Sequence, residues 1–155
     1  TDVGASFITG LPSGIDADPG IRFSVVPGYR IYNDDLFSVS LQLDTGLIWN
    51  GLDGGGDLYQ VPVLAGFEYA FHTGSIVEPY VGIGGGGVYS DYSVSSAFGG
   101  GDNSFDGALQ GMAGVRFKLS DSAEVGVGYK YLHNWASNVD YIGTHSASVM
   151  FVFRF

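Results

Sequence analysis

Cysteine is absent from all 155 residues, so neither disulfide staples nor thiolate metal sites hold this fold together. Positive charge is nearly as scarce. Six Lys and Arg stand against sixteen Asp and Glu, giving a formal charge of −10 and a pI near 4.2. That balance argues against a nucleic-acid partner, because binders of a phosphate backbone are basic. Charged residues make up 14% of the chain, against roughly 25% in ordinary soluble domains. No stretch reaches 18 uncharged apolar residues, which excludes a transmembrane helix. The opening TDVGASF lacks the basic and apolar regions of a signal peptide, so an exported protein is expected here in its mature form, with the signal already removed. Helical periodicity is also missing, since glycines and β-branched or aromatic residues interrupt every candidate window.

What the chain does contain is glycine (26 residues), aromatics (15%) and an apolar share of 45%. Apolar and polar residues alternate with period two almost throughout. Eight strands are expected, at 2–11, 20–32, 36–49, 59–71, 76–90, 107–119, 123–133 and 144–155. With no linker, low-complexity tail or tandem repeat, residues 1–155 are expected to form one domain. Three connections are tight and polar (NDD, HTGS, SDS), and they alternate with long ones such as NGLDGGGDL and DYSVSSAFGGGDNSFD. Short turns on one rim and long loops on the other, with an even strand number, is the layout of a transmembrane barrel.

In an extended strand the two phases of the alternation are two opposite faces. All six basic residues (Arg22, Arg30, Arg116, Lys118, Lys130, Arg154) and all three glutamates (Glu68, Glu78, Glu124) fall on the polar phase. Asp44 shares that phase. Apart from Asp2 and Asp44, aspartate is expected only in loops and turns, with Asp16, Asp18, Asp53, Asp57, Asp102, Asp106 and Asp140 on the long-loop rim.

A soluble barrel buries its apolar face, and a membrane barrel does the reverse. Three features favour the second. The loops carry no Lys and no Glu, where a soluble protein spreads both. The apolar phase places Trp49, Phe71, Tyr89, Phe117, Tyr131 and Phe155 near strand ends, where interfacial girdles belong. The strands are long enough to cross a bilayer at a tilt. The expected fold is all-β: an eight-stranded, antiparallel, up-and-down transmembrane barrel in the outer membrane of a Gram-negative cell. Phe151, Phe153 and Phe155 then face lipid, while Arg154 points into the lumen toward Glu or Asp44. Pro27, Pro62 and Pro79 each remove a ladder donor, so bulges or irregular pairing are expected at all three.

The stretches EPYVGIGGGGVYS, LQGMAGVRFKLSDSAEVGVGYKYLH and HSASVMFVFRF resemble the OmpA-like, opacity-type outer-membrane β-barrel family. The likeness covers residues 60–155 well and the first 60 by pattern only. It implies that the aromatic end, Phe151, Phe153 and Phe155, is the signal presented to the barrel-assembly machinery, and that outer-membrane lipid and lipopolysaccharide surround the wall. If Phe155 is the true end, no periplasmic domain follows.

Candidate chemistry is thin. A narrow lumen holding Arg22, Arg30, Asp44, Glu68, Glu78, Arg116, Lys118, Glu124, Lys130 and Arg154 is expected to be a salt-bridged plug rather than an ion path. The acidic loops lack the ligand spacing of a calcium site, so no metal and no cofactor is expected. His133, Ser137 and Asn138 in YLHNWASN resemble the His-x-Ser-Asn site of lipid A deacylases. Two extra residues intervene, and only Asp140 is left to orient the His, so His133 and His145 are expected at headgroup level instead. The run Gly82–Gly87 lacks the Lys-Ser/Thr of a phosphate loop and is expected to relieve crowding. Function is therefore expected on the outside and without catalysis. Phe98, Phe105, Trp135 and Tyr141 would contact lipopolysaccharide or another surface protein; a small channel and a lipid A-modifying enzyme are the alternatives.

Overall fold

The computed structural model describes residues 1–11, 17–52, 56–94, 102–135 and 141–154. Among these described residues nine strand segments run in order: β1 (Asp2–Thr9), β2 (Gly20–Val25), β3 (Gly28–Asn33), β4 (Phe37–Gly51), β5 (Gly56–Phe71), β6 (Val77–Val94), β7 (Asp102–Lys118), β8 (Ala123–Asn134) and β9 (Ile142–Phe153). All neighbours pair antiparallel, and β1 closes the circuit by pairing with both β2 and β9. Segments β2 and β3 are two parts of one wall strand against β4. One register runs from Ile21 through Arg30, with Val25 opposite Thr45 and Gly28 opposite Gln42. The wall is thus a closed eight-stranded barrel, and closure is what lets a sheet satisfy its backbone in lipid.

The alternation of the sequence becomes the two surfaces of this wall. Phe7, Phe23, Leu41, Leu43, Leu47, Val63, Phe67, Val127 and Phe151 stand outward and exposed. Arg22, Asp44, Glu68, Glu78, Arg116, Glu124 and Lys130 are buried inside. That is the inverse of a soluble barrel, and the arrangement expected for a wall solvated by lipid.

The prolines behave unevenly. At Pro27 the ladder is interrupted between β2 and β3, where Leu43 still donates its N–H to the Pro27 carbonyl at 2.9 Å. Pro62 sits opposite Val88 in register, although the β4–β5 ladder skips the positions between Thr45↔Val63 and Ile48↔Gln60. Pro79 pairs in register with Val115, contrary to the irregularity expected there. The register shift lies instead between Arg30 and Tyr32. A missing donor costs one hydrogen bond on one side of a strand; the fifteen other pairs in the β6–β7 ladder hold the alignment regardless.

The strands also run beyond their expected ends on the long-loop side. Asp57, Asp91, Asp102 and Asp106, expected in loops, belong to β5, β6 and β7. Asp106 is buried and accepts a hydrogen bond from Ser104 Oγ at 2.6 Å. Polar alternation above the lipid is still compatible with a paired ladder, so composition marks the membrane edge and not the strand end.

Candidate functional site

From the periplasmic end upward, the lumen is filled in layers. Lowest is a carboxylate and guanidinium cluster. Glu78 Oε1 accepts from Arg154 Nη2 at 3.2 Å, and Glu78 Oε2 lies 3.1 Å from Lys118 Nζ and 3.0 Å from His72 Nδ1. Arg116 Nη2 donates to Glu68, its Nε lies 3.6 Å from Glu124, and Arg154 also pairs with Glu124. Arg154 therefore meets glutamates at the lumen mouth, and Asp44 is not among its partners. Arg30, expected within the network, is exposed at the mouth and donates to Asn33 Oδ1 at 3.3 Å; among the described residues it forms no ion pair.

Above this cluster Tyr80 crosses the interior with Arg116 stacked over its ring at 4.7 Å. Gly114 and Gly128 make room for it. A Cβ at either would stand 2.5 or 2.2 Å from the Tyr80 hydroxyl, too close for any real contact. In β6, Gly82 likewise leaves space for the Met112 side chain.

The next layer is a second ionic network. Lys130 Nζ donates to Asp2 Oδ2 and Asp44 Oδ2, both at 2.7 Å. Arg22 Nη2 reaches Asp44 Oδ2 at 3.2 Å and Gln110 Oε1 at 2.8 Å, and Gln110 Nε2 returns a bond to Asp44 Oδ2 at 2.8 Å. Asp2 and Gln110 stand outside the lumen network expected from the sequence, although both lie on the lumen phase. Over this network Ile48, Leu64, Val88, Ala108 and Leu132 form a buried apolar cluster across the interior. Single-residue alternation places each of them inward, but only closure brings one from each of five strands into contact. Higher still, Ser6 bonds to Asn50 at 2.9 Å and Thr144 to Gln60 at 2.9 Å.

The outer wall carries a different cluster near its extracellular end. Tyr129, Tyr131, His133 and Trp135 project from one face of β8 and the residue after it, and His145 pairs beside Tyr131 from β9. Tyr131 and His145 rings lie 4.8 Å apart, His133 stacks on Tyr141 at 5.2 Å, and Trp135 meets His133 edge-on at 4.9 Å. His145 stands between two hydroxyls: Tyr129 Oη contacts its Nδ1, and Thr9 Oγ1 lies 3.4 Å from Nε2. Trp135 N–H bonds to the Gly107 carbonyl, next to Phe105, which is 72% exposed. Phe105, Trp135 and Tyr141, three of the expected loop contacts, are thus neighbours on one side of the rim. Phe98, Ser137, Asn138, Asp16, Asp53 and Asp140 lie outside the described residues, as does Phe155; Phe151 and Phe153 face outward and are exposed.

Inverted faces, a filled lumen and girdle aromatics together describe one kind of protein, and residues 2–155 match the family described as outer membrane protein beta-barrel domain. The chain belongs to that family. Its home is accordingly the outer membrane. Among solved structures, this outer-membrane barrel is similar to Neisserial surface protein A (20% identity, covering 99% of this chain and 94% of that one, TM-score 0.66). It is also similar to Ail, the attachment invasion locus protein of Yersinia pestis (18%, 99% and 95%, TM-score 0.60). The outer membrane enzyme PagL is a third (17%, 99% and 100%, TM-score 0.67). At these identities the likeness is one of fold, and it spans enzymatic and non-enzymatic barrels. No curated protein matches the chain in sequence.

Proposed function

We propose that this barrel is a non-catalytic surface protein that works through its extracellular rim, contacting lipopolysaccharide or a protein at the cell surface. The observation that carries this reading is the contrast between a filled interior and a crowded exterior. The apolar cluster of Ile48, Leu64, Val88, Ala108 and Leu132 lies above two ionic networks, which opposes a continuous ion path. Outside, aromatic rings, imidazoles and hydroxyls collect on one side of the rim. Such groups suit the headgroup region, where an apolar body and a polar tip are both solvated. Glycolipid carried through purification is the first measurement. A Trp135→Ala, Tyr141→Ala protein should retain several-fold less lipopolysaccharide than wild type, while Leu41→Ala on the distant wall retains the wild-type amount. Equal retention in all three removes the rim from the function.

A second reading has one specific observation behind it. The line Thr9 Oγ1, His145 and Tyr129 Oη has the order hydroxyl, imidazole, orienting group that nucleophilic catalysis uses. It faces the outer leaflet, where lipid A esters lie. Lipid A mass spectra that lose an acyl chain on expression, and regain it with His145→Ala, would replace the non-catalytic reading.

A further inference from the structure

The seam of the barrel is uneven. From Asp2 to Ser6, one strand, β1, fills the space between β2 and β9. The Thr1 and Phe151 backbones exchange two bonds, of 2.9 and 2.8 Å. Below that level, among the described residues, β3 pairs on one side only, with β4, and the end of β9 pairs with β8 alone. Antiparallel alternation fixes which groups are left over. Because Leu43 N–H is bonded to the Pro27 carbonyl, Gly28 and Arg30 turn their backbone groups away from β4. Because Phe151 bonds to Thr1 and Arg154 N–H to Ser122, Phe153 turns its backbone groups the same way, into a wedge between β3 and β9. A cavity of about 460 Å³ reaches this wedge, lined by Val26 and Pro27 on one flank, Val152 on the other, and Glu68, Tyr80 and Arg116 within. Tyr80 Oη, Asp2 Oδ1 and Arg116 Nε, all buried beside it, have no hydrogen-bond partner among the described residues.

We infer that the wedge is a strand-acceptor site, filled by about five residues of this chain on the N-terminal side of Thr1 that continue β1 toward the periplasm. Two unpaired edges at membrane depth are not tolerated by lipid, and the width between them is that of one strand, since the same two walls hold one strand just above. The registers agree independently. Paired residue numbers total 152 between β1 and β9 and 26 between β1 and β2. Continued downward, the residue two before Thr1 bonds to Phe153, and those three and five before it bond to Gly28 and Arg30. These are the same backbone groups that geometry leaves over. The residue immediately before Thr1 faces inward, between Val26 and Val152, and closes the cavity beside Tyr80 and Arg116. The inference rests on the two edges and their register, independently of what the rim binds.

The test uses the protein exported with its native upstream sequence into an outer membrane. A cysteine immediately before Thr1 is combined with Val152→Cys, its opposite partner in a non-hydrogen-bonded pair, where side chains approach most closely. Intact mass should show residues retained before Thr1, the disulfide should form in nearly every molecule, and both thiols should escape maleimide. The same cysteine with Met150→Cys, off register, should stay reduced. In the unsubstituted protein the amides of Gly28, Arg30 and Phe153 should exchange at least a hundredfold more slowly than those of the NDD turn. A mature protein beginning at Thr1, free thiols in the Val152→Cys pair, or fast exchange at those three amides would overturn the inference. So would a wedge filled by a second copy, seen as a dimer bridged through β3 edges.

Discussion

Asp44 and Glu78 each gather several cations inside the same barrel, yet the two assemblies differ in what surrounds them. Around Asp44, two carboxylates (Asp2, Asp44) meet two cations (Arg22, Lys130), and all four side chains are at most 5% exposed. Around Glu78 only Arg116 is enclosed, at 6% exposed, while the Lys118 and Arg154 side chains reach toward water at 38% and 27% exposed. His72 completes the lower set and joins it to the first turn, its Nε2 lying 3.3 Å from Asn33 Oδ1. The same residue types therefore do two jobs. An enclosed pair cannot be replaced by water when one member is lost, whereas a pair at the mouth can be. The upper network locks strands β1, β2, β4, β7 and β8 together, and the lower one is an adjustable seam at the periplasmic end.

That contrast can be broken by substitution. Asp44→Ala leaves Arg22 and Lys130 buried without their shared carboxylate, and should cost about 3–5 kcal/mol in urea unfolding from lipid vesicles. Leu64→Ala, in the apolar layer directly above, should cost about 3 kcal/mol by opening a cavity, with the ionic network beneath it intact. Glu78→Gln should cost less, about 1–2 kcal/mol, because Glu68, Glu124 and water remain to receive its cations. Should Glu78→Gln prove as damaging as Asp44→Ala, the distinction between an enclosed lock and a hydrated seam is wrong.

The smallest effect lies outside the membrane, in the turn between β3 and β4. Asp34 Oδ1 accepts the N–H groups of Phe37 and Leu36, both at 2.8 Å, and Oδ2 accepts the Tyr32 hydroxyl at 2.9 Å. The Phe37 amide above all, then that of Leu36 and the Tyr32 hydroxyl, hold this carboxyl below its ordinary range. A depressed folded pKa means that the contribution to stability is present above the ordinary carboxylate pKa and is lost as pH falls through the lowered one. Amide exchange at Leu36 and Phe37 should therefore stay slow at pH 5 and quicken only under stronger acid. Asp34→Ala should abolish that dependence. Quickening that begins already in the ordinary carboxylate range would mean the turn holds its shape without the Asp34 caps.

How much of this was legible in the residues follows from what period two encodes. Alternation assigns every strand residue to one of two faces. The distribution of Lys, Arg and Glu then decides that the polar face is the enclosed one, because loops without those residues cannot serve a soluble barrel. The closed eight-stranded wall and the girdle were readable in this way, and so was the inward phase of Arg22, Asp44, Glu78 and Lys130. Phase carries no information about which residues meet across the lumen. That Arg154 reaches Glu78 and Glu124, that Arg30 stays at the mouth, and that Tyr80 lies over Gly114 and Gly128 depend on strand stagger, which emerges only when the sheet closes. Proline shows the same limit: Pro27 and Pro79 are identical as residues, and the long β6–β7 ladder absorbs one while the seam beside β3 exposes the other. The sequence by itself determined which solvent each face meets, a choice made residue by residue through hydration. Only the tertiary structure decided which charges pair, which apolar side chains block the interior and where the wall is left unpaired, because those are properties of several strands brought into one register.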